Sequence, residues 1–82
     1  MNKMKEQFRS MVENYAQFLI RVNDTLIEKN QKSLSPWEME ERYDCYARGV
    51  VDGMYIAGKI LIDDYTIFYA IKNEIKIEYF KY

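Results

Sequence analysis

Glu38, Glu40, Glu41 and Asp44 place four carboxylates within seven consecutive positions, and Glu38 to Glu41 and Glu41 to Asp44 are the three-residue steps that share a helix face. Carboxylates so spaced can ligate a hard cation through oxygen, or divide acid and base roles at a scissile bond. The remaining parts of either chemistry are missing. Histidine is absent, which removes the usual general base at neutral pH, the commonest nitrogen ligand for metals and every Ser-His or Cys-His nucleophile pair. No Asp-rich loop of the EF-hand type occurs, and 82 residues leave little material for a cleft that encloses a sugar. No catalytic residue, metal ligand or cofactor is assigned, and the chain is expected not to be an enzyme.

Two other uses remain for the carboxylates. Acidic side chains in a first helical turn favour the helix dipole, and Glu38 with Arg42 and Asp44 with Arg48 are four apart and able to pair. Alternatively they form a surface for the basic residues of a partner. Residues 33–64 carry a charge of −4, against +2 for 1–32 and +1 for 65–82, so the middle third is locally acidic although the whole chain is only −1. So small a total excludes binding to nucleic acid or to an anionic membrane by net charge.

Aromatic residues make up 16% of the chain, with eight tyrosines and a single tryptophan, side chains that join large contact area to a polar atom. Tyr15, Tyr43 and Tyr46 fall on core faces. Trp37, Tyr55, Tyr69 and Tyr82 fall off them and join Glu38, Glu40, Glu41, Asp44 and Asp52 as candidate partner contacts. Gly49, Gly53 and Ala57 lie four apart, a spacing that lets another helix approach closely, and Cys45 reads as a buried apolar filler. For DNA, the expected recognition element over residues 63–75 supplies only Lys72 and Asn73, so direct nucleic-acid binding is not expected.

The elements that hold these residues are marked by their boundaries. Ser35-Pro36-Trp37-Glu38 combines an N-cap serine, the only proline at the first helical position and a glutamate at the third, so a helix starts there. Before it, Met4, Phe8, Met11, Tyr15, Phe18 and Val22 recur in alternating steps of four and three, with Val12, Leu19 and Leu26 as a second row, which predicts a helix over 3–30. At about 1.5 Å per residue it would be roughly 40 Å long, more than so small a domain covers, so Met4, Phe8, Met11, Phe18, Leu19 and Val22 are expected to meet a second copy.

Met39, Tyr43, Tyr46, Val50, Met54 and Ala57 predict a second helix over 36–57, stopped by Gly58 in the left-handed conformation. Asp63 is the expected N-cap of a third, over 63–78, whose face is Leu61, Tyr65, Phe68, Ile71, Ile75 and Tyr79. The alternation in Glu74-Ile75-Lys76-Ile77-Glu78-Tyr79 leaves open an extended segment over 74–82. The prediction is one all-α domain over 1–82: a three-helix bundle, the long N-terminal helix packed on a helical hairpin. No apolar run approaches a membrane span, no signal-peptide pattern occurs and the lone cysteine has no internal partner, so a cytoplasmic protein is expected.

In Trp37-Glu38-Met39-Glu40-Glu41 and in the helix Tyr43 to Met54, about a quarter of the chain, the sequence resembles small phage and mobile-element proteins of the anti-CRISPR and anti-defence inhibitor type. That resemblance implies inhibition by binding, with a compact helical protein occupying the working surface of a nucleic-acid-handling protein in the host cytoplasm. The expected function is accordingly a non-enzymatic protein–protein interaction, with a homo-oligomeric assembly subunit and a small DNA-binding regulator as alternatives.

Overall fold

A computed structural model describes residues 2–80, which form three helices, α1 (Asn2–Glu28), α2 (Pro36–Ile56) and α3 (Ile62–Phe80), with no strand among them. The boundaries follow from local chemistry. Asn30 closes α1 in the left-handed conformation, φ 55°, and the Gln31 N–H reaches the Leu26 carbonyl at 2.9 Å. Gly58, φ 76°, closes α2 in the same way, with the Lys59 N–H on the Met54 carbonyl at 2.9 Å. Both are the paired bonds that satisfy the last carbonyls of a helix, and glycine and asparagine are the residues that tolerate the backbone there.

At the start of α2 the Glu38 N–H donates to Ser35 Oγ at 3.1 Å, and the Ser35 N–H donates to Glu38 Oε1 at 3.0 Å. This is the reciprocal capping box that the sequence predicts. The third helix starts one residue earlier than expected, so Asp63 lies in its first turn and does not cap it. Instead Asp64 reaches back and accepts from the Leu61 N–H at 3.4 Å.

Residues 74–80 are helical, and Lys81 and Tyr82 of the extended alternative lie outside the described residues. Packing decides between the two. Helical spacing buries Ile75 and Phe80 fully, whereas the alternating reading would put Ile77 inside, and Ile77 is 56% exposed.

The three helices pack along a rod of 45 × 21 × 19 Å. Phe8 stacks on Phe68 and Gln17 reaches Tyr79, so α1 and α3 run parallel, with α2 antiparallel to both. The buried rows are Phe8, Val12, Ala16 and Leu19 on α1, and Met39, Tyr43, Ala47 and Val51 on α2. These rows step mainly by four along one ridge of the helix, whereas the expected stripes alternate four and three, so each inward face is rotated from the one expected. Tyr46, Val50 and Met54 accordingly sit half-buried at the margin of α2.

The rotation also overturns the small-residue edge. Gly49, Gly53 and Ala57 are exposed, and a Cβ added at either glycine would meet nothing within 4 Å. Among the described residues no helix approaches there. Cys45, expected to be buried, is exposed for the same reason, since it belongs to the outward row Trp37, Glu41, Cys45.

Candidate functional site

Trp37 occupies the second position of α2 and is 69% exposed. It stands on a stiff corner. The capping box fixes the backbone beneath it, and the Leu34 N–H donates to Asn23 Oδ1 at 2.6 Å, tying the incoming loop to α1. Behind Trp37 lies an open groove of about 620 Å³ lined by Tyr15, Trp37, Glu38, Glu41, Arg42, Cys45 and Tyr46. Tyr15 and Tyr46 stack with ring centres 4.3 Å apart, which gives the groove an aromatic wall. On the other side of Trp37 a hollow of about 160 Å³ includes Glu40, Glu41, Asp44, Arg48 and Lys76.

The carboxylates divide by what they touch. Glu38 is held by its cap, and the Ser35 backbone and side-chain hydrogen bonds keep its pKa below the usual carboxylate value. Asp44 is spent inside the molecule: Lys72 Nζ lies 2.7 Å from Oδ1, Arg48 Nε 3.2 Å from Oδ2 and Lys76 Nζ 3.7 Å from Oδ1. Burial by itself would raise the Asp44 pKa, but the Lys72 hydrogen bond and the three cations outweigh it and hold the carboxyl below its ordinary range. Among the described residues neither Glu40 nor Glu41 is in an ion pair.

Lys72, one of the two residues that 63–75 would offer to a nucleic acid, is only 4% exposed, and its ammonium lies 4.7 Å from the centre of the Tyr69 ring. The Tyr43 hydroxyl donates to the Lys72 carbonyl at 2.9 Å, and burial pushes that phenol's pKa well up. Asp52 accepts from the Tyr65 hydroxyl at 2.7 Å, and Tyr65 packs against Tyr55 and Tyr69. Asp44, Asp52 and Tyr55, expected as partner contacts, therefore join α2 to α3, while Tyr69 packs on Tyr65 and Lys72 of its own helix. Tyr82 lies outside the described residues. Trp37, Glu41 and Tyr55 are the candidates that are exposed, and Glu40 is half-buried.

The expected oligomer surface is divided too. Phe8 and Leu19 are 1% and 3% exposed within the chain's own core and are not available to a second copy. Met4 and Val22 are half-buried, while Met11 and Phe18 are 43% and 49% exposed. Phe18, Val22 and Leu26 line a second groove, of about 470 Å³, with Arg21, Thr25, Lys29 and Gln31.

Cys45, Tyr15 and Tyr46 are groove residues that the sequence reading did not assign there. The four-residue row Trp37, Glu41, Cys45 was the available signal for the first. Among the described residues no three His, Cys, Asp or Glu side chains are placed to hold a metal ion, and no helix is long and apolar enough to cross a membrane. Comparisons with protein-family models, with curated proteins and with solved structures find no match to this chain.

Proposed function

We propose that this protein works by binding another protein through the Trp37 face, as a non-enzymatic inhibitor that covers a basic, nucleic-acid-handling surface of its target. The observation that carries this reading is the exposed indole on a capped helix start, with Glu40 and Glu41 near it and in no ion pair among the described residues. An exposed tryptophan next to a groove is the side chain that most often anchors a protein interface, and the flanking carboxylates select a cationic rim. Anti-defence inhibition fits that chemistry, because surfaces that grip nucleic acid are lined with Arg and Lys.

The test is affinity capture from nuclease-treated host lysate, followed by an activity assay of the retained protein. The expected result is one protein held at fixed stoichiometry and inhibited in vitro, with Trp37→Ala and the pair Glu40→Lys, Glu41→Lys losing both effects while helical circular dichroism is unchanged. Partners that depart with the nucleic acid, or variants that inhibit as well as the parent, would overturn it.

A further inference from the structure

Two hollows with opposite chemistry adjoin on one side of this molecule. The first is the Trp37 groove, whose charged lining is Glu38, Glu41 and Arg42, with Glu40 in the smaller hollow that also includes Trp37. The second is the groove of Phe18, Val22 and Leu26, spaced four apart on α1, whose only charged lining residues are Arg21 and Lys29. Neither cation is in an ion pair among the described residues. Tyr15 of the first groove and Phe18 of the second stack with ring centres 6.1 Å apart, so the hollows share a border. The fully buried row of α1 stops at Leu19, which leaves the second groove open along the end of the helix.

We propose that the free protein is a two-fold dimer in which Trp37 of each copy enters the Phe18, Val22 and Leu26 groove of the other, with Glu40 and Glu41 meeting Arg21 and Lys29. This rests on the reading of Trp37 as the docking element, and adds that a second copy fills that role until a target competes for it. A two-fold axis requires that if one patch contacts another, the second contacts the first in return, and two adjoining complementary patches satisfy this. The indole supplies an aromatic anchor for an apolar pocket, and the charges supply the polar rim that sets register. Pairing α1 stripe to stripe in parallel instead would bring Arg21 and Lys29 towards their own copies, an unfavourable meeting of like charges. A chain of this size also buries a smaller share of its surface than a larger domain, so the exchange adds burial that the monomer lacks.

Sedimentation velocity across a concentration and salt series tests the arrangement. The expected result is a concentration-dependent dimer that weakens as salt rises, with Trp37→Ala raising its dissociation constant about 30-fold. The variant Glu40→Lys, Glu41→Lys and the variant Arg21→Glu, Lys29→Glu should each be monomeric, and an equimolar mixture of the two should form a heterodimer, because one charge contact is then made with its signs reversed and the other is the parental contact. A parent protein that stays monomeric, a dimer indifferent to both charge variants, or a mixture that stays monomeric would overturn the proposal. A monomeric parent that still loses its target on Trp37→Ala would remove the dimer and keep the docking reading. A dimer that reconstitutes on mixing, with no Trp37-dependent target, would keep the exchange and remove the inhibitor.

Discussion

Glu41 and Asp44 stand less than one turn apart on α2 and carry the same functional group, yet one faces outward and the other is enclosed by three cations. The difference comes from α3. Lys72 is buried behind Asp44, and a buried ammonium needs a counter-charge, so the position of one lysine assigns Asp44 to the fold. Glu41 has no such neighbour and is left for whatever meets the surface. Two acidic residues within one sequence cluster thus belong to different tasks, and charge density along the chain is a poor guide to which is which.

Substitution of the two carboxylates breaks this comparison most directly. Asp44→Asn should destabilise the protein by about 3–5 kcal/mol, because Lys72 keeps its charge and loses its partner, whereas Glu41→Gln should change stability by no more than about 0.5 kcal/mol. Urea unfolding followed by circular dichroism reads both.

Acid titration sharpens the same contrast. The folded-state pKa of Asp44 lies below its ordinary value of 3.8, so its contribution to stability is present above that value and is lost as pH falls through the lowered one. The parent should therefore lose stability through this acid range, and Asp44→Asn should show a shallower fall, measured by denaturant midpoints at successive pH.

The corner that carries Trp37 depends on its cap. Ser35→Ala should cost about 1 kcal/mol and loosen the start of α2, seen as faster amide exchange at Glu38. The smallest effect has the opposite sign. Gly49 lies within an exposed helical stretch with open space around its Cα, so Gly49→Ala should stabilise by about 0.5–1 kcal/mol. A helix or partner packed on that edge would make the same change destabilising.

Much of the fold could be read from residue order because helix ends are local. Ser35 to Glu38 and Gly58 each act through bonds to residues a few positions away, and both boundaries stand where the sequence puts them. Faces were harder. Met11 and Phe18 are as apolar as Val12 and Ala16, and only the positions of α2 and α3 decide which of two adjacent rows on α1 turns inward. Cys45 and Gly53 were misplaced on the same account. Of the candidate contacts, Trp37 and Glu41 kept their outward place, while Asp44 and Asp52 were taken up by Lys72 and Tyr65, partners 28 and 13 positions away in the chain.

By itself, the sequence determined three helices, their caps and stops, and a local excess of acid beside a single tryptophan, since each follows from contacts within a turn or from composition. Tertiary structure decided which side of each helix is buried, that Lys72 neutralises Asp44, and that the Trp37 groove and the Arg21 and Lys29 groove border one another. Those outcomes depend on where α1, α2 and α3 come to rest against each other, a global balance of packing and charge that no short run of residues encodes.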